Sequence, residues 1–342
     1  MAQHPAEPRD ASRLMIVAEQ RDSDVGFRDL PEYLRPGDVL VLNETRVIAA
    51  RIFGSRPSGG RVEVLLLRPS HSVRYDPQAV RWQALVKPAR RLTEGQRIDF
   101  GSLGHAVVAG VASDGIREIE FSLSVPFETF LERAGRLPLP PYIHNETEEA
   151  QQRYQTIFAR APGSVAAPTA SLHFTEEVFE RLRARGIEIV KLVLDVGLGT
   201  FRPMQTERLD DHHMHAESFT IPEDTTDAIA RAKGEGRRIV AAGTTVLRAL
   251  EGSASKHGSV RAGEDQTDIF ITPGYRFRVV DLLITNFHLP QSTLLVLVCA
   301  FAGRERIFRA YEEAIRREYR FFSFGDAMLL ERQDASENTG RL

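Results

Sequence analysis

The chain has 342 residues, 42% hydrophobic and 27% charged, with a formal net charge of −3. That length suits two domains or one domain carrying an insertion, and the charge provides no global basic field, so any nucleic-acid binding must be local. The single cysteine, Cys299, excludes an internal disulfide framework and a multi-cysteine zinc site, and its apolar neighbours predict an inert buried thiol.

Strands are expected over 14–17 and 38–42, the second launched by the turn Arg35-Pro36-Gly37. Polar Asn43, Glu44, Thr45 and Arg46 follow at the strand end, where they can face a cleft or form a solvated turn, before a strand resumes over 47–53. After Ser55-Arg56-Pro57-Ser58-Gly59-Gly60, short alternating strands at 62–67, 81–86, 97–100, 105–111 and 116–123 predict a small closed barrel or sandwich, because closure removes sheet edges. A short helix over 127–134 and a proline-stiffened connector over 137–143 lead back to the main body.

The stretch 162–174 is apolar yet broken by Pro162, Gly163 and Pro168, so its backbone groups need partners outside the segment. Thr175 is placed as an N-cap, with Glu176 and Glu177 in the first turn of a helix that Gly186 ends. The apolar strand 187–194 then discharges into Asp195-Val196-Gly197-Leu198-Gly199-Thr200-Phe201. In open α/β sheets ligands sit beyond strand carboxyl ends, so both loops are expected to line one cleft, although either alone reads more readily as a packing turn.

A helix over 223–233 and a buried strand over 238–242 precede Gly243-Thr244-Thr245, where a helix starts at once and unpaired amides favour an anion; Arg248 lies in its first turns. Strands are expected over 268–271 and 282–285, with Asp268 before one and Asn286 and His288 after the other. Ser292 or Thr293 caps an apolar helix whose run, 294–302, is about half of the ~20 residues a membrane span needs. The last helix, 305–319, places Phe308, Tyr311, Ile315 and Tyr319 on one stripe and Arg309, Arg316 and Arg320 on its neighbour, a phosphate contact or a solvated face. The boundaries read as 1–58 and 146–332 for a main α/β domain, 59–145 for the inserted barrel, and 333–342 for a disordered tail. With no export signal, a cytoplasmic protein without membrane contact is expected.

There is no P-loop, and Gly197-Leu198-Gly199 does not open a helix as a dinucleotide fingerprint should. In an extended segment His213, His215 and Glu217 share one face, and imidazole with carboxylate suits zinc or non-haem iron, which makes a metal-dependent hydrolase one alternative. A non-catalytic RNA-binding module is another.

The longer motifs run in order: Asn43-x-Thr45-Arg46-Val47-Ile48-x-Ala50-Arg51, Leu137-Pro138-Leu139-Pro140-Pro141-Tyr142-Ile143, Ala166-Ala167-Pro168-Thr169-Ala170-x-Leu172-His173-Phe174, Gly197-x-Gly199-Thr200-Phe201 and Asp211-His212-x-Met214-His215-x-Glu217. Gly243-Thr244-Thr245, Thr267-x-Ile269-Phe270-Ile271-x-Pro273-Gly274, Asn286-Phe287-His288-Leu289-Pro290 and Tyr319-Arg320-Phe321-Phe322-Ser323-x-Gly325-Asp326-Ala327-Met328 complete the series. Over about 43–328 the chain resembles the S-adenosylmethionine:tRNA ribosyltransferase-isomerases of queuosine biosynthesis. The resemblance implies a main α/β domain interrupted by a small β-barrel. It implies transfer and isomerisation of the ribosyl part of S-adenosylmethionine onto 7-aminomethyl-7-deazaguanine at the tRNA wobble position, giving epoxyqueuosine with release of adenine and methionine. S-adenosylmethionine is then a consumed substrate, no cofactor or metal is expected, and the enzyme is expected to be a monomer.

On that reading His173, His215 and His288 are candidate bases, since an imidazole titrates near neutrality, and Glu217 or Asp268 would orient an imidazole or hold the sulfonium. Thr244, Thr245 and Arg248 would receive the methionine carboxylate. Pro168, Thr169, Ala170 and Ser171 with Gly197, Gly199, Thr200 and Phe201 would shape the nucleoside pocket, joined by Asn43, Thr45 and Asn286. Arg46 and Arg202 are expected at the substrate, and Arg309, Arg316 and Arg320 at tRNA phosphate. The chain departs from the family pattern at Ser171, Asp195 and Gln291, where Gly, His and Glu are expected, and by the same comparison the family's usual opening segment is expected to be lacking before His4.

Overall fold

The computed structural model describes residues 1–18, 22–70, 80–112, 115–140, 142–144, 147–197, 208–212 and 214–333. It divides into two compact units, one built from 1–45, 141–160 and 167–342, the other from 46–140 and 161–166.

In the larger unit four strands lie side by side and parallel, in the order Glu188–Leu194, Val39–Asn43, Ile239–Ala242 and Leu282–Asn286. Val, Ile, Leu and Ala fill most of their positions, and the 39–43 and 239–242 strands are buried throughout, as strands covered on both faces must be. Glu217–Ile221 and Gly263–Thr267 add antiparallel beyond 188–194. At the other edge Ala327–Glu331 pairs antiparallel with 282–286, Arg13–Val17 lies parallel to it, and Ser23–Gly26 closes the nine-stranded sheet. The helix Glu176–Ala184 starts as its sequence predicts, with the Thr175 hydroxyl accepting from the Val178 amide, and lays Val178, Phe179 and Leu182 into a core with Leu40, Leu42 and Val240.

The smaller unit is a barrel. Strands Arg51–Ser55, Arg61–Pro69, Arg81–Lys87, Arg117–Leu123, Gly104–Val111 and Arg97–Asp99 pair in that order, and the Ser55–Asp99 pairing closes the ring, with Gly135–Arg136 added outside 51–55. Alternate residues Val62, Val64, Leu66, Trp82, Ala84 and Val86 point inward. The helix Phe127–Ala134 supplies Phe127, stacked on Trp82 with centroids 5.1 Å apart, and Phe130, edge-on to Phe100 at 5.0 Å. The fold is thus mixed α/β with a small closed barrel, as the sequence reading has it. The ring takes in 51–55, ahead of the boundary drawn at 59.

Other expectations need correction. The strand is Gly263–Thr267, not 268–271, because sheet pairing with 217–221 outweighs the hydrophobicity of Ile269, Phe270 and Ile271. The last helix, Arg304–Arg316, buries Ile307, Ala310 and Ala314, leaving Phe308 and Ile315 of the expected apolar stripe 48% and 67% exposed. Ser292 caps the helix Thr293–Ala302, in which Cys299 is buried and its thiol is pushed up to about 11. Among the described residues no helix is long and apolar enough to cross a membrane. Residue 333 is described and 334–342 lie outside the described residues.

Helix Thr244–His257 passes so close to strand 263–267 that a Cβ on Gly252 would lie 2.8 Å from the Thr267 Cβ. Gly→Ala inside a helix ordinarily adds about 1 kcal/mol of stability. Here overpacking of about 1–3 kcal/mol outweighs it, so Gly252→Ala should lower the urea midpoint; an unchanged or raised midpoint would show that the contact yields freely.

Candidate active site

The parallel strands end at one edge, and the loops leaving three of them wall a single cleft enclosing about 830 Å³, part of it open to solvent. Strand 239–242 turns through Gly243, whose φ of 102° is natural only for glycine, and its amide donates to the Ile284 carbonyl at 2.8 Å. Helix Thr244–His257 begins immediately, without a side-chain cap, and the first amide to find a helical acceptor is that of Leu247. The amides of Thr244, Thr245 and Val246 therefore lack helical acceptors at the positive end of a 14-residue helix dipole. The buried Thr245 hydroxyl also has no partner among the described residues.

Across the cleft, strand 282–286 delivers Asn286 and His288. His288 is buried, its Nε2 bonds with the Thr285 hydroxyl at 2.9 Å, and its amide donates to the Tyr311 hydroxyl at 2.7 Å. Nδ1 is the ring atom left for a ligand. Burial pushes its pKa down to about 3, so the ring is neutral at physiological pH. The 162–174 stretch contributes Ala167, Pro168, Thr169 and Ala170, and the Thr169 hydroxyl donates to Asn286 Oδ1 at 3.0 Å. The loop after strand 188–194 contributes Val196.

His173 lies behind this wall and does not line the cleft. The Asn286 amide nitrogen donates to its Nε2 at 3.2 Å, which leaves Nδ1–H to donate to the Ser12 hydroxyl at 2.8 Å. Burial lowers its pKa to about 4. Both ring nitrogens are engaged, so His173 orients Asn286.

Several expected site residues have other work. Arg248 Nη1 forms a buried ion pair with Glu217, its Nε donates to the Ile269 carbonyl at 3.3 Å, and Glu217 also accepts the Gly197 amide at 3.2 Å. The carboxylate thus neutralises Arg248. His215 and Asp268 are exposed and do not line the cleft. Asn43 is fully buried, donating to the Leu194 carbonyl at 2.9 Å and accepting the Leu194 and Thr45 amides at 3.0 and 3.1 Å; it ties two strand ends together. The Thr45 hydroxyl donates to Asp195 at 3.1 Å, Arg46 is exposed, and Ser171 is buried with its hydroxyl unpartnered among the described residues. Gly199, Thr200, Phe201, Arg202 and His213 lie outside the described residues.

Among the described residues no three His, Cys, Asp or Glu side chains converge on a point. With Glu217 held by Arg248 and His215 exposed, the hydrolase alternative lacks support. Each arginine of the expected phosphate stripe has a carboxylate: Arg309 pairs with Asp22 at 3.1 Å, Arg316 with Glu313 at 2.5 Å and Arg320 with Asp326 at 3.1 Å.

Sequence reasoning missed the cleft residues Thr285, Gln291, Ser292, Phe322 and Ser323. Phe322 has a φ of 80°, its amide donates to the Phe287 carbonyl at 3.1 Å, and its ring meets Tyr142 edge-on at 4.2 Å. The available signal was the Tyr319–Met328 motif, which alternates aromatic and polar residues without helical or strand periodicity.

The fold and cleft define an α/β enzyme whose small-molecule site lies beyond the carboxyl ends of its parallel strands. The profile of the family described as "Queuosine biosynthesis protein" matches residues 1–330. The chain is 54% identical over 334 residues to the S-adenosylmethionine:tRNA ribosyltransferase-isomerase of Symbiobacterium thermophilum, covering 96% of each chain. It is 52% identical to the enzyme of the same name from Gloeobacter violaceus, covering 96% of this chain and 92% of the relative. The crystal structure of S-adenosylmethionine tRNA ribosyltransferase from Thermotoga maritima superposes with a TM-score of 0.52 at 36% identity, over 96% of this chain and 95% of that one. The chain belongs to the family of S-adenosylmethionine:tRNA ribosyltransferase-isomerases of queuosine biosynthesis.

Burial lowers both His173 and His288 below the ordinary histidine value of 6.5, so the unfolded chain takes up protons first as pH falls. Their contribution is complete above about pH 6.5 and is lost towards pH 4, at up to about 1.4 kcal/mol per pH unit for each ring. Denaturant titrations at pH 7 and 4.5 should show a loss smaller by about 2 kcal/mol in His173→Gln than in the wild type. Equal losses would mean that the ring is not held neutral by the fold.

Proposed function

We propose that the protein transfers and isomerises the ribosyl moiety of S-adenosylmethionine onto 7-aminomethyl-7-deazaguanine at the wobble position of tRNA, giving epoxyqueuosine-tRNA and releasing adenine and methionine. The observation that carries this reading is the meeting, in one cleft, of a helix N-terminus without a cap and a buried neutral imidazole. Family membership supplies the donor and the acceptor.

The amides of Thr244, Thr245 and Val246 suit the methionine carboxylate. Arg248, one turn further along, keeps its ion pair with Glu217 and stiffens the cleft floor instead of binding the carboxylate directly. Thr169 and Asn286, fixed by each other and by His173, face the nucleoside.

Of the three candidate histidines, His288 is the one on the cleft wall, and it serves as the base. Its Nδ1 removes a proton from C5′, which the adjacent sulfonium acidifies. The C5′ electron pair expels the ring oxygen from C4′, and that oxygen expels adenine as C1′ becomes an aldehyde. The aminomethyl nitrogen adds to C4′, passing its proton to adenine, and restores the ylide at C5′. The ylide attacks C1′, and the resulting alkoxide closes the epoxide on C5′ as methionine leaves as its neutral thioether. A ring whose pKa lies near 3 is a weak base in the empty cleft. With substrate bound, however, the transfer turns a sulfonium into a neutral ylide while the imidazole becomes cationic, so positive charge moves within the cleft without being created there. The sulfonium itself supplies the activating charge, and the proposal requires no metal. The enzyme acts as a monomer in the cytoplasm.

Purified protein mixed with S-adenosylmethionine and tRNA bearing the deazaguanine base should release adenine equally with and without chelator. Absence of adenine under every condition would reject the transferase. His288→Gln should lower kcat by about 10²-fold or more. Because the free-enzyme ring titrates far below neutrality, wild-type kcat/KM should show no inflection near pH 6.5. A wild-type rate in His288→Gln would remove that residue from the chemistry.

A further inference from the structure

The barrel unit, 46–140 with 161–166, carries 14 Lys and Arg against 9 Asp and Glu, in a chain whose net charge is −3. The excess has a local focus. On strands 51–55, 61–69, 81–87 and 135–136 the buried residues Ile52, Val62, Val64, Leu66, Trp82, Ala84 and Val86 fill the interior, so the alternating Arg51, Phe53, Arg61, Glu63 and Lys87 face outward. Glu63 is the one carboxylate these four strands contain, and Arg51 at 3.4 Å and Lys87 at 4.0 Å cover it.

Phe53 sits at the centre of this face. The Arg61 guanidinium carbon lies 4.3 Å from its ring centroid and that of Arg136 lies 5.5 Å away. Both arginines are exposed, and among the described residues neither has a carboxylate or any hydrogen-bond acceptor. Stacking on one aromatic ring pre-orders two planar guanidiniums while leaving their N–H edges to solvent. Pre-ordered, unneutralised guanidiniums beside an aromatic ring suit a ribose-phosphate backbone with unstacked bases. The arginines at 309, 316 and 320 differ, since each is already paired with a carboxylate, Asp22, Glu313 and Asp326 respectively.

We propose that this outward barrel face, centred on Arg61, Phe53 and Arg136, is the surface that takes the tRNA backbone. The inference rests on the reading above that tRNA is the acceptor. Arg61 and Arg136 contact phosphates, and Phe53 holds them in place. The surface is set apart from the nucleoside cleft in sequence and in unit, so its loss weakens capture of tRNA without changing affinity for S-adenosylmethionine.

The test measures binding of unmodified tRNA to the full-length protein by fluorescence anisotropy from 50 to 200 mM salt. Arg61→Ala/Arg136→Ala should raise Kd at least tenfold at the lower salt and flatten the slope of log Kd against log salt by roughly 1.4–1.8, as two lost phosphate contacts require. Arg61→Lys/Arg136→Lys should recover most of the slope but less of the affinity, and KM for S-adenosylmethionine should stay within twofold. Circular dichroism at matched temperatures checks that these exposed substitutions leave the fold intact. Wild-type affinity and slope in the alanine pair would overturn the proposal, as would a larger loss from Arg309→Ala/Arg316→Ala. Because binding is read separately from adenine release, an inactive protein that still shows the arginine-dependent slope would reject the reaction while leaving the surface standing.

Discussion

Parallel strands buried on both faces, such as 39–43, 239–242 and 282–286, can turn their polar chain reversals only towards their ends, and everything chemical in the larger unit follows from that constraint. At one end the reversals bring together an uncapped helix start, a hydroxyl, an amide and an imidazole. Gly243 makes the junction possible, because its positive φ lets strand 239–242 pass into helix 244–257 through this one residue. A longer connection would draw the helix amides away from the cleft. Asn43 holds the neighbouring strand ends level by bonding both the amide and the carbonyl of Leu194.

Burial gives the two key histidines similar depressed pKa values and different uses. His173 has both nitrogens bonded within the protein and fixes the direction of the Asn286 amide. His288 has one nitrogen bonded to Thr285, and its backbone is pinned by Tyr311, so the ring is held in place with Nδ1 unbonded. The buried Arg248–Glu217 pair completes the support: it satisfies the Gly197 amide, and removing either partner would strand a charge in a dry site at a cost of about 3–5 kcal/mol.

Much of this was legible in the residues. The helix at 176–184 follows from its Thr175 cap and apolar spacing, and the inner strands follow from unbroken apolar runs. The edge strands Ser23–Gly26 and Gly263–Thr267 were not, because an edge strand can be polar on every position and owes its existence to a neighbour. Thr244, Asn286 and His288 lie at strand ends, where their neighbouring apolar runs put them, but the sequence offers no way to tell a histidine on the cleft wall from His173 one layer behind it, or from exposed His215. Arg248 shows the same limit: its neutralising carboxylate lies 31 positions away in sequence. Of the basic stripe on the last helix, the Arg316 partner Glu313 lies on the same helix, whereas Asp22, which meets Arg309, lies 287 positions away.

The account turns on a sulfonium nucleoside occupying the cleft with its carboxylate on the amides that open helix 244–257. Titrating S-adenosylmethionine into protein labelled with 15N-threonine observes those amides directly. Large shifts confined to Thr244, Thr245, Thr169 and Thr285 are the predicted result. Saturable binding that leaves these four unmoved and perturbs threonines elsewhere would contradict it.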